Sequence, residues 1–278
     1  MKHFHVGVQM FSLREDLAKD FEGTLRKTKE IGYDYVEFAG YYGGKTGEEI
    51  RTLLDKIGLK SISVHQSIDT FLKKGQEAID FFKAFGVKYI VIPAYDSSRL
   101  ADSEHWEETK AAFKQVGELC RANGMELLYH NHDFELRPYG DSRVYDVMFA
   151  ETIGFMNPQP DTCWLNYGGV DPCLYLRRYG ERINVVHLKD FECTKLAAGP
   201  VYALIDENGN AIKKGSREDT GFRFMPLGQG RNDFKAILEA CDEIDAENLI
   251  VEQDSFFDIT PFEAVAASRA YLKTTFGI

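Results

Sequence analysis

Four phrases, "IGYDYVEF" (31–38), "IGLKSISV" (57–64), "FGVKYIVI" (85–92) and "NGMELLYH" (123–130), carry the reading of the fold. In each, a glycine ends a stretch whose apolar residues recur three and four apart, and a β-rich run follows directly. Glycine readily takes the left-handed conformation that stops a helix, so each phrase marks a helix passing straight into a strand. The stretches that precede them, "FEGTLRKTKEIG", "GEEIRTLLDKIG", "GQEAIDFFKAFG" and "WEETKAAFKQVGELCRANG", have the spacing of helices that cover a sheet with one face.

The same alternation runs outward to both ends of the chain. The strand candidates are "FHVGVQM", "DYVEFA", "KSISVH", "KYIVIPA", "MELLYHNH", a less obvious segment ending at "PDTCWLN", "INVVHLKD" and "NLIVEQD". Eight βα units over 278 residues predict an α/β fold, a (β/α)8 TIM barrel forming a single domain over 1–278. No G-x-G-x-x-G follows the first strand, which leaves a dinucleotide-binding sheet without its anchor.

One segment breaks the rhythm. Residues 192–224 are long for a βα connection, rich in charge and glycine, and contain "DENGNA", a hairpin-turn signature. They read either as a solvated excursion or as a lid, since an insertion after strand seven hangs over the face where barrel active sites lie.

Composition narrows the function classes. The chain is 44% hydrophobic and 28% charged, with a net charge of -11, so nucleic acid would be repelled rather than attracted. The five cysteines, Cys120, Cys163, Cys173, Cys193 and Cys241, are scattered and form no C-x-x-C pair, which fits a reducing cytoplasm and gives no thiolate zinc site. Neither export nor membrane insertion is expected, because the N-terminus has no apolar signal region and no run of about 18 apolar residues occurs. Barrels of this kind often pair, so a homo-oligomer is a further expectation.

Polar groups that close the strands of such a barrel point into its mouth. In "LLYHNHDFEL" (127–136), period-two alternation sets His130 and His132 on one face and Tyr129 and Asn131 on the other. Asp161, His187 and Glu252 close the next three strands. Singly each has an ordinary explanation, since a strand histidine is commonly a hydrogen-bonded core group and Asp161 could simply cap a helix. Four ionisable groups on neighbouring buried strand ends are harder to explain one at a time, and together they read as a metal site. Oxygen and nitrogen ligands without thiolate suit Mn²⁺, Zn²⁺, Co²⁺ or Mg²⁺. Gln9, Glu37, His65 and Trp164 are the candidates for holding substrate, and Lys189 would hold an oxyanion or neutralise Asp190. "PLGQG" falls short of a phosphate loop, which favours an unphosphorylated sugar or polyol.

The segments "DTCWLNYGGVDPCLYLRRYGERINVVHLKD", "YHNHDFEL", "PLGQGRNDFKAIL" and "LIVEQD" resemble the sugar phosphate isomerase/epimerase superfamily of xylose isomerase-like TIM barrels. The resemblance spans nearly the whole chain outside 192–224. It implies one divalent metal held by Asp161, His187, Glu252 and a strand-five group. Many members carry glutamate in that last slot, where this chain offers His130, or Glu135 just beyond it. The pair of glutamates that shuttles a proton in the epimerases is thereby in doubt, since only Glu252 is clearly present.

Chemically, a divalent cation chelated by a sugar carbonyl and its neighbouring hydroxyl stabilises the enediolate formed when the adjacent C–H is deprotonated. Glu252, His130, His132 and Lys189 are the candidate catalytic groups. Returning the proton gives a sugar isomerase or epimerase, the first expectation. Expelling a group one carbon further on gives a lyase or dehydratase acting on a keto-sugar, keto-glycoside or keto-inositol, the alternative, which the imidazoles of "YHNH" suit because histidine serves as both base and acid. A non-catalytic sugar-binding barrel is a further alternative, and a DNA-repair endonuclease is disfavoured by the net charge of -11.

Overall fold

In a computed structural model, which describes residues 4–196 and 221–278, the eight expected strands form one parallel sheet. They are β1 (His5–Gln9), β2 (Tyr35–Ala39), β3 (Lys60–His65), β4 (Tyr89–Ile92), β5 (Glu126–His130), β6 (Asn157–Gln159), β7 (Val185–Leu188) and β8 (Asn248–Val251). The spatial order is β6-β5-β4-β3-β2-β1-β8-β7, and every pairing is parallel. The cylinder is drawn together between β6 and β7 by a single bridge, Asp161 with His187, where the His187 N–H donates to the Pro160 carbonyl at 2.9 Å.

Helices cover the outside. Among the described residues the α-helices are α1 (Arg14–Lys19), α2 (Phe21–Ile31), α3 (Gly47–Ile57), α4 (Ile68–Lys74), α5 (Gln76–Ala84), α6 (Trp106–Ala122), α7 (Val144–Glu151), α8 (Thr162–Tyr167), α9 (Pro172–Tyr179), α10 (Phe234–Glu243) and α11 (Pro261–Tyr271). The repeated helix-stop glycines behave as the four phrases predict: Gly32, Gly58, Gly86 and Gly124 all have positive φ, between 72° and 106°. A side chain there would be strained, and the strand could not leave the helix so abruptly.

Among the described residues apolar side chains fill three zones, one of which joins Trp164, Tyr167, Phe191, Phe222 and Phe224. Between strands and helices lies the main core, with Val8, Phe38, Ile90, Tyr129 and Leu249 among its buried members. Inside the cylinder, Val91, Leu128, Val185 and Ile250 form a plug. Gly7 belongs to that interior too, where a Cβ would lie 2.7 Å from Ile250 Cδ1, so β1 approaches β8 closely only because residue 7 has no side chain.

The sixth strand departs from expectation. "DTCWLN" is not its end but the helix α8, and β6 is only the three residues Asn157–Gln159. Pro158 and Pro160 lack N–H donors, so the ladder cannot extend, and Asp161 turns the chain by capping α8: its Oδ1 accepts the Trp164 N–H at 2.9 Å. The excursion rises from an antiparallel pair, Asp190–Glu192 with Arg223–Met225. Its expected turn at "DENGNA" lies outside the described residues. No helix among the described residues is long and apolar enough to cross a membrane.

Candidate metal centre at the barrel mouth

His130, Asp161, His187 and Glu252 converge at the carboxyl ends of β5 to β8, each offering one ligating atom, with all four atoms within 4.8 Å of one another and all four residues buried. His130 is the last residue of β5 and His187 the third of β7, whereas Asp161 and Glu252 lie just past β6 and β8. Glu135, the other candidate for the strand-five position, is elsewhere. Its Oε1 accepts the Tyr129 hydroxyl at 2.7 Å and its Oε2 the His132 N–H at 2.8 Å, so it folds the turn after β5 instead of joining the cluster. Burial raises its pKa to about 7 against those two bonds.

Beneath the cluster is a second polar layer. Glu37 Oε1 accepts from Gln9 Nε2 at 2.8 Å and lies 2.9 Å from His65 Nε2 and 2.7 Å from His187 Nε2, while Oε2 accepts from Gln159 Nε2 at 2.9 Å. Gln9 and Glu37 are therefore fully buried supports that do not line the mouth, a correction to their expected role in holding substrate. Burial alone would raise the Glu37 pKa, but the His65 and His187 rings hold it well below the usual carboxylate range. With Nε2 tied to Glu37 and Nδ1 3.1 Å from Glu252 Oε2, His187 has the orientation that a carboxylate gives a metal-ligating histidine from behind. Burial would lower the His187 pKa, but the two carboxylates raise it to about 10.

Lys189, fully buried, lies 2.7 Å from Glu252 Oε2, 3.1 Å from Asp161 Oδ2 and 3.2 Å from Asp254 Oδ1. Burial opposes its charge, but these carboxylates keep the ammonium protonated. It does not neutralise Asp190. That carboxylate accepts backbone N–H groups from Phe191, Gly228, Gly230 and Asn232, at 2.8 to 3.1 Å, so "PLGQG" closes on a buried aspartate and has no donors left at Gly228 or Gly230 for a phosphate. Trp164 is rim packing: fully buried, it stacks on Phe222 at 5.6 Å and meets Phe224 edge-on.

A cavity of about 340 Å³ opens above, its lining including His65, His130, His132, Lys189, Glu252 and Asp254. Burial pushes the pKa of both His130 and His132 well down, so these rings are neutral. Two polar groups of this layer were not anticipated from sequence. Gln159, whose Oε1 lies 2.8 Å from His65 Nε2 and 3.1 Å from His130 Nδ1, is hidden between two prolines. Asp254 had a signal, since it stands two residues beyond Glu252 in "VEQD" and alternation puts both on one face.

The donor set fits a divalent cation. Glu37, Asp161, Glu252 and Asp254 gather around Lys189 and His187, so even with both of those protonated two negative charges are left over in a buried site. Buried charge of that size needs compensation, and a dication among mixed nitrogen and oxygen ligands supplies it.

A parallel α/β barrel whose strand ends bring two imidazoles and two carboxylates to one point defines a class of barrels with a candidate metal site at the mouth. The chain belongs to the xylose isomerase-like TIM barrel family, whose model matches residues 25–275. It is similar to an inosose dehydratase of Klebsiella pneumoniae, 25% identical over 277 residues that cover 87% of this chain and 88% of that protein. Among solved structures it resembles a sugar phosphate isomerase/epimerase from Parabacteroides distasonis, with a TM-score of 0.78, 20% identity and 99% and 96% of the two chains covered. It also resembles the zinc-bound IOLI protein, with a TM-score of 0.66, 14% identity and 97% and 96% coverage.

Proposed function

We propose that the protein is a divalent-metal-dependent lyase of the dehydratase type, acting on a keto-sugar or keto-inositol. The observation that carries this is the convergence of His130, Asp161, His187 and Glu252 beside a cavity that also presents a neutral imidazole, His132, and a fixed ammonium, Lys189. The similarity to an inosose dehydratase favours elimination over the isomerase or epimerase reading placed first from the sequence.

In this reading His130, Asp161, His187 and Glu252 hold the metal. Bound there, the ion supplies Lewis acidity toward the substrate carbonyl. His132 removes the proton beside that carbonyl, being kept unprotonated by burial. Lys189 sets a permanent positive charge near the oxygen that becomes negative. The imidazolium of His132 then returns its proton to the hydroxyl leaving the next carbon. One C–H and one C–O bond break, a C=C bond forms, water departs, and His132 ends as it began. Glu37 and Gln159 hold the His187 and His130 rings throughout.

The test is incubation with a keto-inositol in D₂O with Mn²⁺ or Zn²⁺. Loss of water with growth of near-ultraviolet absorbance from the conjugated enone is expected, and His132→Asn should slow it by about 10² to 10⁴. Deuterium incorporation with a rearranged sugar and no loss of water, across keto-inositol and ketoses, would make the protein an isomerase or epimerase instead. Absence of both overturns the proton-abstraction reading.

A further inference from the structure

The mouth cavity has a second wall that elimination from a bare polyol does not use. Besides the imidazoles, Lys189 and the carboxylates, the cavity is lined by the apolar Phe11, Ala39, Pro93 and Ala94 and by two polar side chains already engaged elsewhere, Gln66 with the Tyr42 and Thr70 hydroxyls and Ser67 with the Asp69 N–H. Phe11 is held firmly. It sits in the turn Met10–Leu13, its N–H donates to Gln9 Oε1 at 3.1 Å, and the Arg14 guanidinium covers its ring 4.3 Å from the centroid while donating to the Phe11 carbonyl at 2.9 Å. Gln9 is thus shared: one end of its amide fixes Glu37 in the polar layer and the other fixes the apolar wall.

Size and polarity agree on what this wall meets. A void of about 150 Å³ holds a benzene-sized ring, whereas this cavity has about 340 Å³, room for one six-membered ring and a second group of similar size. A free polyol carries hydroxyls around its whole rim. Those turned toward Phe11, Pro93 and Ala94 would lose water and find no side-chain partner on these residues, an unfavourable loss for each hydroxyl. A ring bearing an apolar substituent on that side has no such penalty.

We infer that the cavity takes a keto-glycoside with an apolar, ring-sized aglycone: the keto-sugar ring lies against His130, His132 and Lys189, and the aglycone against Phe11, Pro93 and Ala94. This rests on the elimination reading above and deepens it. With the ketone two carbons from the anomeric centre, the C–H between them is the acidic one, and the group one carbon further on is the aglycone oxygen. The C–H proton passes to His132, a C=C bond forms, the glycosidic C–O bond breaks, and the aglycone leaves as an alcohol carrying that proton. No oxidant or reductant is consumed.

The experiment compares benzyl and methyl 3-keto-glucosides, whose leaving alcohols have similar acidity, with a keto-inositol as the bare ring. Calorimetric binding of benzyl and methyl glucoside, the unoxidised analogues, gives a readout independent of turnover. The benzyl compound is expected to have a KM and a dissociation constant lower than the methyl compound by about tenfold or more. Phe11→Asn should erase that preference, and Phe11→Leu should retain most of it. The thermal midpoint of each variant reports folding. Equal handling of benzyl and methyl compounds by the wild type, or a preference unchanged in Phe11→Asn, overturns the aglycone assignment; turnover of the keto-inositol alongside would leave elimination standing. Failure of all three compounds to exchange hydrogen or eliminate removes both.

Discussion

Glu135 shows how one residue's surroundings decide its role. It lies five residues past His130 and has the right chemistry for a ligand, yet the Tyr129 hydroxyl and the His132 N–H occupy its two oxygens. Burial raises its pKa from 4.5 to about 7. The folded state therefore binds this proton more tightly than the unfolded chain. Its stabilising effect is fully present below about pH 4.5 and is lost as pH rises through about 7, an effect on the order of 3 kcal/mol. Urea unfolding of wild type and Glu135→Gln from pH 4.5 to 8 should show a downward slope in the former that is flattened in the latter. The amide can still accept from His132 and donate to the Tyr129 oxygen, so the variant is expected to fold. Parallel slopes would show that this carboxyl does not carry the effect.

Among the elements, the strand ends do the positioning and the loops lock them. At the end of β7 the chain runs His187, Lys189, Asp190: the first two serve the mouth, while the third anchors the "PLGQGRN" loop through the N–H groups of Gly228, Gly230 and Asn232 and also accepts that of Phe191. Glycine at 230 is required by that closure, since a Cβ would stand 2.4 Å from Asp190 Oδ1 and 2.5 Å from the Phe191 carbonyl. Gly230→Ala must push the loop off the carboxylate. It should cost about 1–3 kcal/mol of stability, measured by denaturant unfolding, and raise hydrogen exchange at the Gly228 and Asn232 amides. An unchanged midpoint would mean that the loop accommodates the methyl group without letting go. Legibility at this scale followed local signals. The helix stops at Gly32, Gly58, Gly86 and Gly124 were plain because one residue type answers one backbone demand. The sixth strand was obscure because two prolines cut it to three residues and Asp161 starts a helix in the same breath.

At the scale of the whole molecule, the barrel gathers four carboxylates, from β2 and from just past β6 and β8, around Lys189 and His187 and leaves buried negative charge to be balanced. A cation that binds only the folded state adds stability by mass action, about 2.7 kcal/mol at a hundred times its dissociation constant. Adding Zn²⁺ or Mn²⁺ to chelator-treated protein should therefore raise the thermal midpoint, and Asp161→Asn should abolish most of the rise. A midpoint indifferent to both ions would argue that Lys189 and His187 alone balance the site.

The sequence by itself determined the alternation of helix and strand, the eight strands and the residues that close them, because these depend on periodicity and on backbone preferences that act over a few residues. It also named His130, Asp161, His187 and Glu252 as neighbours, since adjacent parallel strands carry their ends to the same side. Depth was decided only by the tertiary structure. Alternation assigns a side chain to a face, but the mutual packing of the eight strands sets how far below the mouth it sits. For this reason Gln9 and Glu37 became buried supports, Trp164 became packing against Phe222, and Lys189 turned from its sequence neighbour Asp190 to carboxylates on β6 and β8.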